Sequence, residues 1–367
     1  MRVTTETRRL KRDAHNWHLG TGGCFSSIQR YYDEDTGHMF AVKKLSPNAT
    51  EYDFLLKAEF EALHRTEQLR VPRVIKCDVG WCSGASCLVL QLVVGVDLGE
   101  VIESKVGFNF AGGAEEADTL KIAVQLLETL FHMHINAAVC HLDLTPGNVM
   151  LETHSNNPYD TVRIIDFGLA KFSNPGDQRA QDIIDTSICD VQPDGATTDY
   201  ASPEQLRSLQ TQYELRQHPD LLINGASSDM FSAGVVLYEQ LTGVLPFLPL
   251  PHAGRSAPES VPEHLKDSWE EYEAMSQAHH IWVSTGKAVT DAAQAGTPVN
   301  HPLLDKVKEC SANPDAAADF FQRILHPHYS SRLSVEAHMH SYVAATFCHM
   351  RECKAAQLQK GNSQITQ

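Results

Sequence analysis

Asp143 and Asn148 stand five residues apart, and Asp166 follows them after two short strand-like runs, 148–151 and 162–165. A hairpin between those runs turns the chain back on itself and brings three oxygen-bearing side chains, all on loops at strand ends, to one corner. Oxygen donors of this kind suit Mg²⁺, which takes oxygen ligands and leaves part of its shell to substrate phosphates. The chain must therefore build a frame around one small hairpin.

The surrounding texture changes once. From about Trp17 to Leu98 the pattern is β-rich: a Gly-rich turn, the run Met39–Leu45 and the run Cys87–Val93. One helical interruption spans 52–69, where Leu55, Leu56, Phe60 and Leu63 recur near helical spacing. After Val94-Gly95 come longer helical segments, Thr119–His134 and Met230–Thr242. A small β-rich lobe (15–93) and a larger helical lobe (94–345) follow from this, after an N-terminal arm (1–14). The Pro-, Ala- and Ser-containing stretch 248–302, with sustained periodicity only around 265–275, reads as a surface insertion, and 346–367 reads as a polar tail.

Charge and cysteine content narrow the function classes. Thirty Lys+Arg against 46 Asp+Glu give a formal charge of -16, which argues against nucleic acid as a partner. Nine cysteines scattered from Cys24 to Cys353 do not resemble a disulfide framework, so a reducing intracellular compartment, cytoplasm or nucleus, is expected. Arg2, Arg8, Arg9, Lys11 and Arg12 precede no apolar stretch and read as a solvated arm, and no run of apolar residues predicts a membrane span.

Taken alone, Asp143 and Asn148 would be turn caps and Asp166-Phe167-Gly168 a common loop tripeptide. Their order and context change that. His141-Leu142-Asp143-Leu144-Thr145-Pro146-Gly147-Asn148 followed by Asp166-Phe167-Gly168 resembles the eukaryotic-type protein kinase family, whose catalytic loop reads H-R-D-L-x-x-x-N and whose metal-binding turn reads D-F-G. The resemblance implies an α+β bilobal fold: an antiparallel N-lobe sheet with one main helix, and a mainly helical C-lobe. It also implies ATP and Mg²⁺ as cofactors and a protein substrate with a serine or threonine acceptor. Asp143 would orient the hydroxyl and accept its proton, and Asn148 and Asp166 would hold Mg²⁺. Lys43, in Phe40-Ala41-Val42-Lys43, matches the lysine that reaches the α- and β-phosphates, and Glu59, preferred over Glu61, its partner.

The nucleotide cover would be 19–28, where small residues let backbone amides approach phosphate and Phe25 could close over the site; Gly20, Gly22, Gly23, Phe25, Ile28, Ala41 and Met150 are candidate cofactor-binding residues. Leu90, Gln91 and Leu92 resemble the hinge that meets adenine, and Asp97 the acidic residue near the ribose. Downstream, Thr197-Thr198-Asp199-Tyr200-Ala201-Ser202-Pro203-Glu204 resembles the end of the activation segment, Asp229–Glu239 a buried family helix, and Arg332 the partner of Glu204. The resemblance covers roughly Trp17 to Tyr342.

The departures are informative. Leu142 replaces the arginine that binds a phosphorylated activation loop, so independence from such a phosphate is expected. Thr145 replaces a lysine that reaches the γ-phosphate, which predicts slower turnover, and Gly147 replaces an acidic residue found in basophilic kinases. The full G-x-G-x-x-G spacing fails in the cover, Ala196 stands for glycine, and Ser202 stands for alanine. Cys82 and Cys87, and the group His338, His340, Cys348, His349 and Cys353, match no zinc spacing and read as structural; Cys24 is a candidate redox-sensitive thiol. Two alternatives stay open: a pseudokinase scaffold and a small-molecule phosphotransferase on a related fold.

Overall fold

The computed structural model describes residues 2–5, 8–13, 18–21, 26–45, 53–82, 85–107, 116–153, 161–172, 190–191, 195–215, 222–247, 302–326 and 332. The calls on Gly22, Gly23, Cys24 and Phe25, on 248–301, and on the histidines and cysteines from His338 onward lie outside these residues.

Seven antiparallel strands build the N-lobe: β1 (Arg2–Thr4), β2 (Arg9–Arg12), β3 (His18–Thr21), β4 (Ser26–Asp33), β5 (Met39–Leu45), β6 (Cys77–Cys82) and β7 (Ala85–Gln91). Their order is β2-β1-β6-β7-β5-β4-β3, and β2 also pairs with β4, so six of the strands close into a barrel. Strand β5 is buried on both faces. Ala41 joins Leu88, Leu90 and Leu63 in the main core, whereas Val42 joins Leu10, Tyr31, Cys87 and Val89 inside the barrel. This two-fold alternation puts Lys43 on the same face as Ala41, toward helix α1 (Asp53–Gln68).

Residues 2–4 and 9–12 are not the solvated arm that the charge run implies. Strands β1 and β2 pair in register, Arg2 with Lys11 and Val3 with Leu10, and Leu10 is fully buried. In Arg9-Leu10-Lys11 the apolar residue alternates inward and the bases outward, so a composition reading sees the charges and misses the strand.

The C-lobe begins with β8 (Gly95–Asp97) and α2 (Leu98–Gly107), followed by α3 (Glu116–Phe131), a π-helical turn over His132–Ala137 and β9 (Val139–Cys140). A 3₁₀ turn, Pro146–Asn148, leads into the hairpin β10 (Val149–Glu152) and β11 (Val162–Ile164). Strand β12 (Lys171–Phe172) pairs with β9, and β13 (Asp190–Val191) pairs with β14 (Ile223–Asn224). The helices α4 (Pro203–Leu215), α5 (Gly225–Thr242), α6 (Pro302–Cys310) and α7 (Pro314–Ile324) complete the lobe. Helix α5 is buried almost throughout, which is why its sequence shows little amphipathic contrast. A Cβ at Gly234 would lie 2.9 Å from Ile324 and Leu325, so glycine lets α7 pack directly on the α5 backbone. The expected α+β bilobal architecture is present. No helix among the described residues is long and apolar enough to cross a membrane.

Candidate active site

Strand β5 and helix α1 bring Lys43 and Glu59 together. Lys43 Nζ lies 2.9 Å from Glu59 Oε2 and 2.8 Å from Asp166 Oδ1, with the lysine side chain 5% exposed. Glu61, the competing carboxylate, is exposed. Burial opposes the Lys43 charge, but the two carboxylates outweigh it and hold the ammonium above the ordinary lysine range. Burial likewise opposes ionisation of Asp166, and the Lys43 ammonium reverses the balance, so this carboxyl sits below its usual range. Glu59 is pushed up by burial, which Lys43 only partly offsets.

Asp166 adopts the left-handed region, φ 57, at a cost of about 1–3 kcal/mol. Its Oδ1 also accepts from Gly168 N–H at 3.2 Å. A Cβ on Gly168 would sit 3.1 Å from that oxygen and 3.6 Å from Lys43 Nζ, so a larger residue there would crowd the pair.

The catalytic loop hangs from helix α5. Buried Asp229 accepts from His141 N–H and Leu142 N–H, both at 2.7 Å, and contacts His134 Nε2 at 2.8 Å. His141 Nε2 donates to the Ile165 carbonyl at 3.0 Å and its Nδ1 accepts from Asp143 N–H at 3.3 Å, which fixes the tautomer. Its ring packs edge-on against Phe167. Asn148 Nδ2 donates to the Asp143 carbonyl at 2.8 Å, and Asn148 O accepts from Ile165 N–H at 3.0 Å. These bonds join the Asp143 and Asp166 loops across the β10–β11 hairpin. The Asn148 amide oxygen and the Asp166 carboxylate are hard oxygen donors, and that donor chemistry fits a divalent cation.

Asp143 Oδ1 accepts two bonds from Thr197, from N–H at 3.0 Å and from Oγ1 at 2.7 Å. Leu142, also left-handed at φ 62, is 2% exposed and packs with Cys140, Val191 and Ile223. Thr145 is extended and leads into the 3₁₀ turn.

Of the remaining sites read from the sequence, Ala41 and Leu90 are register partners in the core, with Ile28 and Leu92 packed at its margin. Gly20 lies opposite Ile28, and Met150 opposite Asp97. Gln91 is tied to Lys76, through its own N–H at 2.8 Å and its side-chain oxygen at 3.3 Å. Asp97 Oδ1 accepts from Glu100 N–H at 2.8 Å and so caps α2, a structural duty that the family alignment does not reveal. Ser202, in place of alanine, caps α4 through Gln205 N–H and meets Ser228 Oγ at 2.7 Å. Arg332 makes a two-pronged pair with Glu204 beneath it, the Nη2–Oε2 contact being 2.7 Å.

Sequence reasoning missed the work of Asp229, His134 and Gln205. His134, Cys140 and Asp229 bring donor atoms within 4.8 Å of one another, but three N–H or ring contacts already converge on the Asp229 carboxylate, so the trio is a strut for the loop.

Residues 15–343 match the family described as protein kinase domain. The chain is similar to serine/threonine-protein kinase pkn3 of Myxococcus xanthus, 32% identical over 45% of this chain and 25% of that protein. It is 29% identical to a probable serine/threonine-protein kinase, fhkD, of Dictyostelium discoideum, over 62% of this chain and 28% of that protein. Similarity to serine/threonine-protein kinase 17A of Oryctolagus cuniculus is 26% identity over 77% of this chain and 64% of that protein. Each match spans less than two thirds of the relative's own length.

Proposed function

The chain belongs to the protein kinase domain family, and from that premise we propose that it transfers the γ-phosphate of ATP to serine or threonine hydroxyls of protein substrates. The observation that carries this reading is Lys43 held between Glu59 and Asp166, the arrangement that protein kinases need for phosphate positioning. Asp143 orients the acceptor hydroxyl and takes its proton. Asn148 and Asp166 are the residues that would hold Mg²⁺, which would supply positive charge against the charge developing on the phosphates. Lys43 engages the α- and β-phosphates. The nucleotide would be covered by 19–28 and bound by Gly20, Gly22, Gly23, Phe25, Ile28, Ala41, Leu90, Gln91, Leu92, Asp97 and Met150. Serine/threonine preference is supported by the Thr197 hydroxyl seated on Asp143.

The apolar surroundings of Leu142 support a kinase that needs no phosphate on its activation segment. The kinase domain is taken as 15–345, with lobes 15–93 and 94–345, an insertion at 248–302 and a tail at 346–367. The acidic charge argues against nucleic-acid partners. Nine cysteines scattered along the sequence favour a reducing compartment, cytoplasm or nucleus.

The test is a labelled-ATP assay of the purified chain on generic protein substrates, with Asp143→Asn and Asp166→Ala as controls. Mg²⁺-dependent transfer that both substitutions abolish is expected. Transfer that survives both would overturn the assigned roles, and ATP binding with no transfer to any protein would favour a scaffold.

A further inference from the structure

Gln205, on the first turn of α4, is fully buried, although an apolar residue would fill the same space without burying an amide. Its Nε2 donates to two backbone carbonyls at once, Leu142 O at 2.7 Å and Gly195 O at 3.0 Å. Both N–H groups of the amide are thereby used. The first carbonyl belongs to the residue before Asp143, and the second lies two residues before Thr197. Asp143 and Thr197 are themselves joined through Asp143 Oδ1. The amide therefore closes a ring that runs from the catalytic loop to the activation segment and back.

Leu142 explains why a donor is needed here. Its left-handed backbone is held on one side by Asp229, which takes its N–H. Its carbonyl is met in the interior by Gln205. Gln205 is itself anchored by its N–H to Ser202 Oγ at 3.2 Å, and Ser202 meets Ser228 on the same helix as Asp229. Both sides of the Leu142 residue thus refer back to α5, and Gly195 is brought into the same frame.

We propose that Gln205 is a positioning residue for phosphotransfer: its amide sets the distance between the catalytic loop and the activation segment, and so holds Asp143 against Thr197 where the acceptor hydroxyl must sit. This rests on the protein kinase reading. It adds to that reading a neutral, buried strut which requires no phosphate.

The test compares the full chain with Gln205→Met, which keeps length and apolar fit but removes both donors. Gln205→Asn, one methylene shorter and unable to span both carbonyls, is the second variant in case the first does not fold. Steady-state rates on a protein substrate, KM for ATP, affinity for a non-hydrolysable ATP analogue and the thermal midpoint are measured for each. The expected result is a fall in kcat of at least about ten-fold, within the ~10²-fold that a 1 Å misplacement costs. KM for ATP and analogue affinity should stay within about two-fold of wild type. A kcat per folded molecule unchanged in the variant that folds would overturn the inference while leaving the kinase reading intact. So would a loss of analogue affinity in step with kcat, the mark of a general structural role. A wild-type chain that transfers no phosphate would overturn both.

Discussion

The two ends of the catalytic machinery are held by opposite kinds of force. At the nucleotide end, Lys43, Glu59 and Asp166 form a buried ionic trio with contacts of 2.8 and 2.9 Å. At the activation-segment end, where kinases of this family commonly place an arginine, Leu142 packs with Cys140, Val191 and Ile223, and a neutral amide bridges two carbonyls. The first end must keep its charges, because a buried charge left without its partner costs about 3–5 kcal/mol. The second end has only to hold a shape. Around the Leu142 side chain, apolar packing and a neutral amide do that.

Breaking the ionic end should have the larger effect. Lys43→Met leaves Glu59 buried without its cation, and phosphotransfer is expected to fall by at least about 10²-fold, as for loss of a single electrostatic stabiliser. Radiometric transfer checks the rate, and thermal unfolding checks that the protein remains folded. Breaking the apolar end with Leu142→Arg buries a charge among Cys140, Val191 and Ile223. A loss of about ten-fold or more is expected, and adding Val191→Asp should recover part of it. A double-mutant cycle on kcat measures that coupling. Next comes Thr145→Lys, which restores a cation beside the developing charge and should raise kcat by several-fold, bounded at about 10²-fold.

The contrast also predicts a pH profile. The depressed Asp166 contributes stability present above the ordinary carboxylate pKa of about 4 and lost as pH falls through its lower folded value. The raised Lys43 contributes stability present below the ordinary lysine pKa of about 10 and lost as pH rises through its higher folded value. Between these limits the Lys43–Asp166 pair is intact. Affinity for an ATP analogue, followed by calorimetry, should therefore owe no change to this pair from about pH 6 to 9.

The ionic end was legible in the sequence. Taken alone, a strand lysine reads as a solvated residue; Lys43, Glu59 and Asp166 stood out because each matches a family motif in the family's order. Strand β5 has the bounds expected for it, and the hairpin β10–β11 lies within a residue of its predicted position. The apolar end was only half legible. Leu142 marked the missing arginine, but Val191 and Ile223 are ordinary β-branched residues far away in the chain, and only the fold brings them to Leu142. Gln205 acts on backbone carbonyls, which carry no sequence signature. The strand pair β1–β2 was misread because its basic residues alternate with the single inward Leu10, and the capping duty of Asp97 was hidden behind its expected place near the ribose.

The most direct measurement compares the phosphotransfer rate of the purified chain before and after exhaustive phosphatase treatment, alongside a triple alanine variant at Thr186, Ser187 and Thr198; of these, Thr186 and Ser187 lie outside the described residues. If packing around Leu142 and the Gln205 strut hold the activation segment, all three preparations should agree within about two-fold, well inside the ten-fold that corresponds to ~1.4 kcal/mol. A loss of more than about ten-fold on dephosphorylation, in protein that remains folded and still binds an ATP analogue, would contradict it.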